Sequence, residues 1–316
     1  MMKFNNELPA ILAGTAIYSA LVMALPQPAI ALTGQQVNNI AREITVLIAR
    51  SDGGQGSGVI ISKNGKTYYV LTAHHVVKNR ENRDGEIKYQ IVTHDQNKYQ
   101  LNYNTVKQLP NGVDLAVIEF TSDKNYPVAT LANTDSLTEG TPVFISGWPK
   151  QGAVSNVTDG QLIRQFVDGR VSTILARSYR GYQMGYTNNT IAGMSGGPVL
   201  DAGGRLVAIH GLADRADANA IGLEASDPDA PQIITTGFNY GIPINTYLKL
   251  APQAGIYLGL KVENTPSPEL GAPYVASSTP DERDVIDDIN NVLDFTNTVI
   301  RGIDTGRRLI CSLTGC

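Results

Sequence analysis

GSGVIISKNGKTYYVLTA, residues 56–73, decides the fold class. It contains two runs of β-branched and aromatic residues, the types that suit a pleated, half-buried surface. Between them lies Lys63-Asn64-Gly65-Lys66, where Asn-Gly readily takes the positive φ values of a tight hairpin turn. KYQIVTHDQNKYQLNY, 88–103, repeats the plan. DLAVIEF (114–120), TPVFISGW (141–148) and LIRQFVDGRVSTIL (162–175) continue it. GPVLDAGGRLVAIHGL, 197–212, turns at Ala202-Gly203-Gly204, and TTGFNYGIPI, 235–244, follows a polar loop over 214–232. From Glu43 to about Tyr247 short apolar runs alternate with turn signals, and the crossover helices of a parallel α/β sheet are missing. The reading is all-β, a sandwich or a pair of small barrels.

Composition narrows the function. The chain has 316 residues, 42% of them hydrophobic and 17% charged, enough for a sizeable core. A net charge of −4 offers no basic stripe to neutralise phosphates, so nucleic acid is not an expected partner. The two cysteines, Cys311 and Cys316, sit at the far end of the chain, so no disulfide can staple the core. Neither their spacing nor the His74-His75 pair has the pattern of a metal site, and no metal or cofactor is expected.

The ends of the chain read differently. Lys3 precedes the apolar run Ala10–Leu25, and Ala29 and Ala31 give the small-x-small pattern of a signal-peptidase site. Residues 1–31 are therefore expected to be a signal peptide, with a secreted or periplasmic product. A retained anchor is the alternative, and only then would the chain touch a membrane; the run is shorter than the roughly 20 residues a spanning helix needs. After a domain over 32–250, a Pro/Ser-rich linker is expected over 251–279. Thr279-Pro280-Asp281-Glu282 then reads as a capping box, and Val285, Ile286, Ile289, Val292, Leu293, Val299, Ile300 and Ile303 recur at helical spacing. A C-terminal α-helix is expected within 280–316.

The reactive candidate is Ser195, in AGMSGGPVL, 192–200. Glycine permits backbone conformations closed to other residues, so Gly193, Gly196 and Gly197 around one serine suggest a shaped turn. A serine hydroxyl is a weak nucleophile and needs a general base, a group that orients the base, and donors for the developing oxyanion. His74 and His75 end a strand-like run, where neighbours point to opposite sides, so only one can face a site. Asp114 stands directly before an apolar strand, where a fixed imidazole could hold it; alone it would read as a turn residue.

Leu71-Thr72-Ala73-His74-His75-Val76, Asp114-Leu115-Ala116-Val117 and Gly193-Met194-Ser195-Gly196-Gly197-Pro198 resemble the three catalytic blocks of the trypsin-like serine peptidases, above all bacterial ones without core disulfides. The order His, Asp, Ser is also that of the family. The resemblance covers roughly residues 43–250 and implies two six-stranded antiparallel β-barrels of the chymotrypsin-like kind. It implies His75 as base, because the family's T-A-x-H spacing selects it over His74, with Asp114 as orienter and Ser195 as nucleophile. The N–H groups of Gly193 and Ser195 would form the oxyanion hole. Met194 departs from the aspartate usual before the serine, so an ion pair to a freed N-terminus cannot order this site.

His210 and Thr190 are similar in position to the residues that bind an acidic side chain in bacterial glutamyl endopeptidases, with Gly211 and Ala213 lining the same pocket. The resemblance is partial, since Gly196-Gly197-Pro198 replaces the Gly-Ser-Pro frequent in that branch, and a packed core histidine beside a structural threonine is the plainer reading. Asn189 stands where trypsin has its pocket aspartate, which argues against a Lys or Arg preference. The implied function is an exported serine endopeptidase acting on polypeptides. A silent relative of the same fold that only binds peptides is the alternative. A membrane-tethered HtrA-like protease is a second one, but residues 251–316 are too short for the PDZ domain and chaperone assembly of that kind.

Overall fold

Strands β1 (Thr45–Arg50), β2 (Gln55–Asn64) and β3 (Thr67–Ala73) pair in sequence as an antiparallel meander. The turn between β2 and β3 is made possible by Gly65, at φ 59°. The computed structural model describes residues 30–78, 87–150, 163–217 and 233–270. Residues 1–29 of the expected signal peptide (1–31), the expected C-terminal helix and Cys311 and Cys316 lie outside these residues.

The first sheet adds β4 (Tyr89–Val92), β5 (Lys98–Gln100), β6 (Lys107–Gln108) and β7 (Leu115–Thr121), in the order β5-β4-β1-β2-β3-β7-β6. Among the described residues its terminal strands do not pair with each other, so this half of the expected double barrel is a half-barrel sheet. The second sheet holds β8 (Thr130–Ala132), β9 (Pro142–Gly147), β10 (Gln165–Tyr179), β11 (Tyr182–Tyr186), β12 (Pro198–Asp201), β13 (Leu206–Asp217), β14 (Ile233–Pro243) and β15 (Lys261–Glu263). Six of these, in the order β12-β9-β10-β11-β14-β13, close into a barrel through the β12–β13 pair. The fold is all-β and chymotrypsin-like, as the resemblance implied.

Each sheet has its own core. Val46, Ile60, Tyr68, Val70 and Ile118 fill the first and Val143, Ile145, Met184, Val199 and Val207 the second. A third cluster joins them, with Ile61, Leu71 and Leu115 of the first sheet meeting Leu200, Ile209 and Ile242 of the second. Helix α1 (Gly34–Ile44) packs into this cluster through Val37, Ala41 and Ile44, one face of a 3.6-residue period. Thr33 caps it reciprocally with Gln36. Burial of each large apolar side chain contributes about 1.5–3 kcal/mol, so the joint cluster holds the halves in fixed relation.

Two further helical segments appear where only strands or linker were expected. α2 (His74–Val77) starts at the end of β3, and α3 (Ile244–Leu250) follows β14. Residues 251–270 are also not a free linker. β15 extends the second sheet by pairing parallel with β8, and the buried Asp201–Arg205 pair clamps the segment after it. Arg205 reaches Thr265 Oγ1 (2.6 Å) and the Pro266 carbonyl (3.0 Å), while Ser267 donates to Asp201. The polar atoms of Pro/Ser-rich sequence satisfy that buried guanidinium, a role composition does not advertise.

Candidate active site

His75 and Asp114 are brought together by β3 and β7, which pair from Thr67↔Thr121 to Ala73↔Leu115. Both histidines lie in the helical turn of α2 and not at a strand end, so it is the turn that separates their directions. The His74 amide donates to the Asp114 carbonyl (3.0 Å) and the His75 amide to its carboxylate (2.8 Å). His75 Nδ1 lies 2.7 Å from Asp114 Oδ2. Asp114 is only 2% exposed, whereas the His75 side chain is 33% exposed. Burial on its own would raise the Asp114 pKa; the bonds from His75 and Tyr182 outweigh it and hold the carboxyl down at about 2. A carboxylate so fixed keeps the His75 ring oriented with Nδ1 toward it.

The second sheet reaches across to the same carboxylate. Tyr182 donates its hydroxyl to Asp114 Oδ2 (2.8 Å), Arg180 approaches Oδ1 (3.5 Å), and the Asp114 amide donates to the Arg180 carbonyl (2.9 Å). Arg180 (φ 52°) and Gly181 (φ 93°) form a tight left-handed turn between β10 and β11. Gly211 is the complement of Tyr182, because a Cβ there would run into the tyrosine hydroxyl.

Ser195 sits in a turn whose carbonyls from Ala192 to Ser195 are anchored. The Ala192 carbonyl accepts from the Lys150 amide (2.7 Å), that of Met194 from Gly197 (3.0 Å), and that of Ser195 from the Ser57 amide (2.8 Å). Ser57, in β2, also donates its hydroxyl to the Gly193 carbonyl (2.9 Å). In a trans peptide the N–H points opposite to its carbonyl. The N–H groups of Gly193 and Ser195 therefore face away from these anchors, without a partner among the described residues. Gly193 (φ 98°) and Gly196 (φ 87°) adopt backbone conformations that disfavour side chains. Met194, fully buried, packs into the second core and fixes the turn by apolar contact instead of an ion pair. Ser195 Oγ lies 3.5 Å from the Gly211 carbonyl, and no hydrogen bond to His75 occurs among the described residues. Such bonds are often long before substrate tightens them.

The four expected pocket residues fall into two groups. Thr190 donates to Asn239 (2.7 Å), and Ala213 pairs with Asn239 in the β13–β14 register. His210, 3% exposed, has Nδ1 at 2.6 Å from the Tyr186 hydroxyl, and Gly211 follows it beside Tyr182. Burial, then the nearby His75, pushes the His210 pKa down to about 3 against a backbone bond to Tyr240, so the ring is neutral at pH 7. Sequence reasoning missed Ser57, Tyr182, Arg180, Tyr186 and Asn239; the turn signal Arg180-Gly181 was present, but not its target. Among the described residues no three His, Cys, Asp or Glu gather into a metal site.

Fold and site resemble those of trypsin-like serine peptidases. Residues 56–209, just under half of the chain, match the family model of the trypsin-like peptidase domain. The chain is similar to a serine protease HtrA-like protein of Staphylococcus aureus (strain bovine RF122 / ET3-1), 26% identical over 205 residues, which are 62% of this chain and 23% of that protein. It is also similar to the serine protease Do-like HtrA of Bacillus subtilis (strain 168), 28% identical over 186 residues, 58% of this chain and 39% of that one. The chain thus spans well under half the length of these curated relatives. Together these findings support a serine endopeptidase.

Proposed function

We propose that the chain is an exported endopeptidase that cleaves polypeptides through an acyl-enzyme on Ser195. Ser195 Oγ attacks the scissile carbonyl while His75 takes the hydroxyl proton, Asp114 holding the imidazole. The C–N bond then breaks, the amine leaving with that proton, and water, deprotonated by His75, releases the acid product. The observation that carries this reading is the anchored turn: with its carbonyls engaged elsewhere, the Gly193 and Ser195 N–H groups remain to receive the oxyanion. Export is supported by the Ala10–Leu25 run and the Ala29-x-Ala31 pattern. A chain cut after Ala31 retains the bond from Leu32 nitrogen to the Ala202 carbonyl (2.7 Å) that ties down the approach to α1.

For specificity we propose a modest preference for glutamate before the scissile bond. Thr190 and His210 support it as donor types in family-like positions, and a neutral His210 binds a carboxylate by hydrogen bonding rather than by charge. Their present bonds to Asn239 and Tyr186 must be exchanged for the substrate, which limits selection. Digestion of a mixed peptide library, read by mass spectrometry, tests both parts. Cuts should vanish with Ser195→Ala, and the share of cuts after glutamate should drop several-fold with His210→Ala. Unchanged cleavage by the serine variant would refute the peptidase reading, and an unchanged profile for the histidine variant would refute the pocket.

A further inference from the structure

A cavity of about 410 Å³ shares no residue with the site above; Asn38, Arg42, His94, Trp148, Arg164 and Phe166 line it. Asn38 and Arg42 come from α1, His94 from the turn after β4, Trp148 from the end of β9, and Arg164 and Phe166 from the start of β10. The cavity gathers hydrogen-bond donors in excess of acceptors. Arg164 is pinned by bonds to Ser146 Oγ (2.8 Å) and Asn38 Oδ1 (2.5 Å). A guanidinium carries five N–H groups, so three remain without a partner among the described residues. Arg42 stands near enough that, after burial, it is the second cause holding the Arg164 pKa down at about 10. Neither arginine has an acidic partner among the described ion pairs.

Trp148 is 6% exposed, and its indole N–H is buried with no partner among the described residues; His94 Nδ1 is in the same condition. A buried donor left unpaired is destabilising, and two unpaired like charges repel each other. One kind of ligand relieves both at once.

We propose that this cavity binds an oxyanion of the phosphate or carboxylate class, held by Arg164 and Arg42 with the Trp148 indole N–H as a further donor. Arginine forks match planar or tetrahedral oxyanions in bidentate fashion. The volume exceeds that of the anionic group alone, and the Trp148 and Phe166 rings offer an apolar wall for the body that carries it. The Trp148 carbonyl also lies under the Ser195 turn, 2.5 Å from where a Cβ on Gly193 would stand, so the cavity wall abuts that turn.

The test uses the fact that Trp148 is the only tryptophan of the chain. The full-length Ser195→Ala protein is titrated with sodium phosphate and, separately, with sodium phenylacetate, at constant ionic strength held by chloride, while tryptophan emission is followed. A saturable change is expected with at least one anion, and the responding anion identifies the class. Arg164→Gln should raise the half-saturation concentration at least tenfold. Arg42→Gln, at an exposed position, should raise it several-fold. No saturable change with either anion, or an unaltered half-point in both arginine variants, would overturn the proposal.

Discussion

The two halves of the molecule contribute to the candidate site in opposite ways. The first sheet supplies ionisable side chains, His75 and Asp114, fixed by a dense set of hydrogen bonds around one buried carboxylate. The second barrel supplies main chain: a turn with two left-handed glycines, its carbonyls tied down and one hydroxyl presented. One half is tuned by electrostatics and the other by shape. They are interlocked, since Ser57 of the first sheet clamps the serine turn and Tyr182 of the second barrel clamps Asp114. The lesson is that changes in the shape-tuned half should damage structure and activity together. Changes in the electrostatic half should damage activity with the fold retained.

Gly196→Ala is the most severe way to break this contrast. At φ 87° a side chain is strained, and its Cβ would collide with the Ser57 carbonyl and the Thr72 hydroxyl. A stability loss of about 2–5 kcal/mol and no measurable turnover are expected, checked by urea denaturation alongside a peptide assay. Asp114→Asn should lower kcat/KM about 10⁴-fold, because an amide facing Nδ1 favours the wrong imidazole tautomer. Circular dichroism should show the fold intact, and a fall of less than tenfold would count against the role given to Asp114. Tyr182→Phe sharpens the contrast at the join. As a positioning residue, Tyr182 should matter to kcat, by about tenfold, with KM unchanged. A loss confined to KM or to thermal stability would make it merely structural.

The pairing of His75 with Asp114 was implied by the family resemblance of their two blocks, since Asp114 read by itself is a turn residue. The serine turn was legible in the sequence, since glycine frequency betrays its backbone. What stayed hidden is whatever acts over distance. Tyr182 is one of 14 tyrosines and gains its role only where the β10–β11 turn meets Asp114. Ser57 lay inside the very hairpin that revealed the fold, yet nothing local marks it as the clamp on Gly193. α1 was readable from Thr33, Gln36 and the Val37-Ala41-Ile44 spacing, but strand signals beginning at Glu43 drew the boundary past it. The half-barrel could not be foreseen, because closure depends on whether edge strands meet, and a short strand such as β6 leaves no trace of its partner in composition. The linker looked free for the same reason: its contacts with Arg205 are made by main chain and hydroxyls.

If His75 activates Ser195 within an anchored oxyanion turn, Ser195 reacts selectively with an electrophile that mimics the acyl transition state. Intact-mass spectrometry of the chain from Leu32 onward, treated with a fluorophosphonate, reads this out. One adduct per chain, mapped to Ser195 and formed at least a hundredfold more slowly in His75→Ala, is the predicted result. Absence of an adduct, or equal labelling of the two proteins, would contradict it.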